Sequence, residues 1–103
     1  MSRVLVEVCV EGIASALEAG AGGADRIELC ENLAVGGITP SAGAIKTVCR
    51  NLSIPVHVIV RPQAGSFVVT ETELEAMRFD VATARSLGAA GVVLGVLRAD
   101  GTV

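Results

Sequence analysis

Aromatic residues are nearly missing from this sequence: Trp and Tyr are absent, and Phe occurs twice. The chain therefore lacks the aromatic platforms on which proteins stack the bases of single-stranded nucleic acids. It also lacks a basic run, and its formal net charge is -3 at pH 7. Because phosphates are bound by clustered positive charge, these absences argue against nucleic acid or an anionic membrane as the main partner.

Long apolar runs are missing as well. A bilayer-spanning helix needs about 20 predominantly apolar residues, and the sequence has no such stretch. The N-terminal residues MSRVLVEVCV are interrupted by Glu7 and are too short and too charged for a secretory signal. We therefore expect a cytoplasmic protein whose three cysteines are reduced thiols.

The chain does have enough apolar residues for one core, since 51% of its 103 residues are hydrophobic. Short runs rich in β-branched residues alternate with helix-like segments, which predicts a parallel sheet built from βαβ units. The predicted strands are Val4–Cys9, Arg26–Cys30, Val56–Arg61 and Val92–Val96. The predicted helices are Ile13–Ala19, a segment capped by Thr39 that runs from Pro40 to Asn51, and a segment that runs from the Thr70/Glu73 capping box to Gly88.

One face of the predicted strands is polar. Side chains alternate between the two faces of a strand, and parallel sheets are normally covered on both faces. A closed barrel resolves the conflict, because its inward residues stack in layers and those near the C-terminal rim form the active site. The apolar set, expected under the helices, is Val4, Val6, Val8, Ile27, Leu29, Val56, Val58 and Val60; the inward set is Leu5, Glu7, Cys9, Arg26, Glu28, Cys30, His57, Ile59 and Arg61.

The predicted fold is therefore α/β, of the TIM (β/α)8-barrel type, with only the first four strands and three helices. A doubly wound open sheet is the alternative, but it would place unpaired charges beneath helices. A complete barrel takes roughly 200–250 residues, so the predicted strands make half a barrel with two open edges. Either the chain is a fragment or truncated product, or two copies complete each other; we expect a homodimer or other self-association.

Cys9 and Cys30 lie on neighbouring predicted strands with the same inward direction. Because neighbouring strands are about 4.8 Å apart, their sulfurs can approach each other. Two thiolates suit a soft ion of low coordination number, Cu(I) above all. The alternatives are two small cysteines that only pack and a disulfide, which the compartment disfavours. Cys49 falls in a helix pattern and is predicted to belong to the core.

Charged residues on the same strands suggest a second kind of site. Glu7 and Glu28 are a candidate acid–base pair, although Arg26 and Arg61 can instead neutralise them in a structural ion network. Arg61 is also a candidate ligand for a carboxylate or phosphate. The Gly-rich segment LAVGGITPS leads through Thr39 into a helix N-terminus, which can bind an anion or simply provide a turn.

Four segments together resemble the N-terminal half of the CutC copper homeostasis family: LVEVCV, GGADRIELCENLAVGGITPS, IPVHVIVRP and GAAGVVLGVL followed by DG. The resemblance covers nearly the whole chain. It implies a TIM barrel and a cytoplasmic protein linked to copper tolerance, with Cys9 and Cys30 as Cu(I) ligands. It also implies a charged pocket of enzyme-like character, formed by Glu7, Arg26, Glu28 and Arg61.

The chain departs from the family pattern after its third strand, where the family has RPRGGDF and this chain has RPQAGSF. Gln63, Ala64 and Ser66 thus remove one positive and one negative charge from the rim. Our first functional hypothesis is a copper homeostasis protein that binds Cu(I) through Cys9 and Cys30. The alternatives are an enzyme acting on a small, anionic metabolite through Glu7, Glu28, Arg26, Arg61 and Thr39, and a non-functional half-barrel kept soluble by self-association.

Overall fold

A computed structural model describes residues 3–103 and shows alternating strands and helices. The strands are β1 (Glu7–Glu11), β2 (Arg26–Cys30), β3 (Val56–Ile59) and β4 (Gly91–Val93). The helices are α1 (Gly12–Ala21), α2 (Ala42–Asn51) and α3 (Glu71–Ser86), and a short 3-10 turn covers Leu33–Val35. No helix in this range is long and apolar enough to cross a membrane.

The four strands form one parallel sheet in the order β1-β2-β3-β4. Each of the first three strands is followed by a segment that returns the chain to the start of the next one, as βαβ units require. Four parallel strands with three helices are the architecture of a partial TIM barrel, so the predicted fold class is confirmed.

The core lies between the sheet and the helices. The apolar face of β2 and β3 is buried there: Ile27, Leu29 and Val58 are 0% exposed, and Val56 and Val60 are nearly so. The helices contribute small and branched side chains, namely Ala16, Ile45, Val48 and Ala84. The prediction that this set of strand residues lies under the helices is confirmed for β2 and β3.

The prediction for β1 was wrong at both ends, since the strand also continues to Glu11 rather than ending at Cys9. The strand begins at Glu7 rather than Val4, and Val4, Leu5 and Val6 are 83%, 72% and 52% exposed. Glu7 pairs with Arg26, the first residue of β2, and the Arg26 amide also donates to the Val6 carbonyl, so β2 does not extend alongside Val4 and Leu5. The Val6 amide instead donates to the Asp25 carboxylate, at 2.8 Å.

The bounds of β3 and β4 also differ from the prediction, and both strands end earlier in the chain than expected. β4 covers Gly91–Val93 rather than Val92–Val96, and β3 ends at Ile59 rather than Arg61. Ile59 and Val93 are register partners, and beyond them only the bond from the Val60 amide to the Val93 carbonyl, at 2.8 Å, continues the pairing. The length of each strand here depends on how far the neighbouring strand extends, and the strand's own residues do not reveal that.

Helix α2 is capped by a different residue from the one predicted. Ser41 is the N-cap, and its side-chain oxygen accepts from the Ala44 amide at 3.1 Å. Thr39 lies two residues earlier, where its hydroxyl and amide bond to the backbone of Arg61. Pro40 therefore precedes the cap instead of occupying the first helical position.

Helix α3 has the predicted capping box. The Glu73 amide donates to the Thr70 hydroxyl at 3.1 Å, and the Thr70 amide donates to the Glu73 carboxylate at 3.0 Å. Gly88, with φ of +107°, follows the end of the helix as predicted.

Replacing the capping hydroxyl tests how much this helix start stabilises the fold. We expect Thr70→Ala to lower the free energy of unfolding by about 1 kcal/mol, because one helix amide loses its acceptor. Thr72→Ala, at an exposed position in the same turn, is the matched control. Urea unfolding followed by circular dichroism measures both; equal losses in the two variants would contradict the role assigned to the cap.

Candidate metal-binding site

Three potential metal ligands meet on the inward face of β1 and β2. Glu28 is the register partner of Cys9, and Cys30 lies two residues further along β2, on the same face. The two sulfur atoms are 3.7 Å apart. The Glu28 Oε1 atom is 3.4 Å from each sulfur, so both thiols can donate to one carboxylate oxygen. All three ligand atoms lie within 4.8 Å of one another.

The two thiols differ in their access to solvent. Cys30 is 1% exposed, whereas Cys9 is exposed on the open inner face. Burial raises the pKa of Cys30 above its ordinary range, and the Cys9 thiol and the Glu28 carboxylate raise it further. Burial is also the largest cause of the raised pKa of Cys9. Without a metal, therefore, both side chains are neutral thiols at pH 7, and a metal ion must displace their protons.

The arrangement fits one metal ion. Metal–thiolate bonds to Zn²⁺ are about 2.3 Å long, and the sulfur–sulfur distance of 3.7 Å is less than twice that length. One ion can thus contact both sulfurs while the Glu28 oxygen remains in reach. Thiolates favour soft ions such as Cu(I), and the carboxylate adds a harder donor.

The position of Glu28 was only partly predicted from the sequence. The alternation of Glu28 and Cys30 places both on one face of β2, but it suggested an acid–base residue rather than a metal ligand. The missing information is the register, which sets Glu28 opposite Cys9. Cys49 contacts the core as predicted and lies outside the group of three ligands.

The other proposed acid–base residue, Glu7, is held by Arg26. The Arg26 guanidinium and the Glu7 carboxylate form an ion pair at the start of β1 and β2. This pair is the structural neutralisation considered above as an alternative. Glu7 and Glu28 lie on the same face of the sheet, and their acid–base role stays a prediction.

Arg61 and Thr39 lie at the end of β3 and are bound to each other. The Arg61 amide donates to the Thr39 hydroxyl at 2.9 Å. The Arg61 guanidinium bonds to backbone carbonyls, and among the described residues no ion pair joins it to Glu28. Anion binding by these two residues likewise stays a prediction.

Comparison with known proteins identifies relatives along almost the whole chain. The model of the CutC family matches residues 4–103. A CutC family protein of Mesorhizobium japonicum is 52% identical over 99 residues, which are 96% of this chain and 38% of the relative. A human relative, named copper homeostasis protein cutC homolog, is 46% identical over 99 residues, which are 96% of this chain and 36% of the relative.

The fold has a counterpart among solved structures. The crystal structure of the CutC protein from Streptococcus agalactiae superimposes with a TM-score of 0.85 at 38% identity, covering 95% of this chain and 48% of that one. The chain thus spans less than half the length of the relatives it matches. On the family match, the sequence identities and the shared fold, this chain belongs to the CutC family.

Proposed function

We propose that this chain contributes to copper homeostasis by binding Cu(I) through Cys9 and Cys30 in the cytoplasm. The observation that supports the proposal most directly is the 3.7 Å separation of the two sulfurs on neighbouring strands. Soft thiolates are the ligands that favour Cu(I), and the named function of the human relative is copper homeostasis.

Glu28 has a supporting part in this proposal. Its carboxylate oxygen lies 3.4 Å from both sulfurs, close enough to act as a third donor after a small side-chain movement. When bound, the ion supplies the positive charge that favours the thiolate form of both cysteines. Arg26 does not compete for Glu28, because it is paired with Glu7.

Metal stoichiometry tests the proposal directly. Reduced protein is loaded with Cu(I) without oxygen, separated from free metal, and analysed for copper and protein in the same fractions. We expect one Cu(I) for each Cys9–Cys30 pair, because the site holds one set of ligands. A metal-free protein after loading would contradict the proposal.

We further propose that residues 1–103 form one N-terminal half of a CutC-like barrel, and that a second copy covers its open side. Within the described residues, β1 and β4 each pair with a strand on one side only. The two edge strands run in the same direction. A two-fold rotation about an axis along the strands therefore brings β4 of one copy beside β1 of the other in parallel. The chain covers 48% of the Streptococcus chain, so it corresponds to about half of that protein.

A further inference from the structure

The guanidinium of Arg61 joins two loops at the C-terminal rim of the sheet. Its Nη1 atom donates to the carbonyl oxygens of Val35, at 2.9 Å, and Gly37, at 3.0 Å. Its Nη2 atom donates to the carbonyl oxygen of Gly65, at 2.8 Å, and the guanidinium carbon lies 5.1 Å from the centre of the Phe67 ring. The side chain therefore holds backbone rather than a carboxylate.

The backbone of Arg61 anchors the far end of the first of these loops. The Thr39 amide donates to the Arg61 carbonyl at 3.1 Å, and the Arg61 amide donates to the Thr39 hydroxyl at 2.9 Å. Residues 35–39 are thus attached to Arg61 at both ends, by its side chain at Val35 and Gly37 and by its backbone at Thr39.

This loop lies directly on Cys30. Gly37 is buried, and a Cβ atom added to it would lie 3.5 Å from the Cys30 Cβ and 3.6 Å from the Cys30 sulfur. Its φ of +96° is one that glycine adopts without strain. The backbone of Gly37 therefore occupies the space above the Cys30 thiol, which is 1% exposed.

We propose that Arg61 is a positioning residue, which holds the Gly36–Gly37 backbone over Cys30 and so controls access to this thiol. Hydrogen bonds from a guanidinium are charge-assisted and among the stronger ones. Without them, the carbonyls of Val35 and Gly37 lose their side-chain donor and the loop opens more often. A role of Arg61 in metal entry rests on the proposed Cu(I) site. Its role in the accessibility of the Cys30 thiol does not depend on that proposal.

The rate at which Cys30 reacts with an aromatic disulfide reagent measures this access. In a protein where Cys9→Ser and Cys49→Ser leave Cys30 as the single thiol, we expect Arg61→Ala to raise the rate by about tenfold or more, since the loop loses both of its charge-assisted bonds to the guanidinium. Arg61→Lys keeps the charge but loses the planar fork, so its rate should be intermediate. Arg78→Ala, at an exposed arginine of α3, should leave the rate unchanged.

Two results would overturn the proposal. One is an unchanged Cys30 rate in both Arg61 variants. The other is an equal rise at Cys49, measured with Cys9→Ser and Cys30→Ser, because Cys49 contacts the core and reports general loosening of the fold. Cu(I) release to a chelator is measured separately on protein with all three cysteines. Failure of that protein to bind Cu(I) would reject the proposed function while the thiol rates still decide the role of Arg61.

Discussion

Cys9→Ser and Cys30→Ser are each expected to weaken Cu(I) binding by more than about 100-fold, the loss that outer-shell residues alone can reach at metal sites. Each change removes one of two sulfurs that lie 3.7 Å apart, and a single thiolate cannot hold the ion from two sides. Competition with a chromophoric Cu(I) chelator, on reduced protein without oxygen, measures the affinity. Circular dichroism verifies that each variant is folded.

The matched control for these variants is Cys49→Ser. Cys49 is the remaining free cysteine, and it lies outside the group formed by Cys9, Glu28 and Cys30. We expect Cys49→Ser to leave Cu(I) affinity unchanged. Glu28→Gln should weaken Cu(I) binding, but by less than Cys9→Ser or Cys30→Ser does. Loss of binding in Cys49→Ser alone would show that the site has been assigned to the wrong residues.

The reduced protein is expected to have a solution mass of twice the 10.4 kDa of one chain. The reason is that apolar side chains remain exposed next to the two edge strands: Val4, Leu5 and Val6 before β1, and Leu94 after β4. Exposed apolar patches and unpaired strand edges favour association. Light scattering after gel filtration measures the mass directly.

A charge placed at the open edge should separate the proposed dimer. Val6 immediately precedes β1 and is 52% exposed, and a lysine at a strand edge disfavours pairing with another strand. We therefore expect Val6→Lys to give monomers. Thr47→Lys, at an exposed position of the central helix α2, adds the same charge away from both edges and should stay dimeric. A monomeric unmodified chain, or a continuous range of larger assemblies, would contradict closure by one second copy.

The local sequence pattern was sufficient to predict those elements whose first and last residues are set by interactions among neighbouring residues in the chain. β2 has the predicted bounds, Arg26–Cys30, because its alternating apolar residues Ile27 and Leu29 are buried between neighbours on both sides. The Thr70/Glu73 capping box was also predictable, since all of its hydrogen bonds lie within four residues. For helix α2 the sequence predicted Thr39 as the N-cap, but Thr39 bonds to the distant Arg61 and Ser41 caps the helix.

The candidate metal site was likewise predictable from the sequence only in part. The sequence by itself determined that Cys9, Glu28 and Cys30 share one face, because side chains alternate along a strand. Only the tertiary structure decided that Glu28 lies opposite Cys9 and between the two sulfurs, because the register of two strands depends on the packing of the whole sheet. It likewise directed Arg61 to the carbonyls of Val35, Gly37 and Gly65 rather than to Glu28, since a long side chain takes the partners that loop folding brings within its reach.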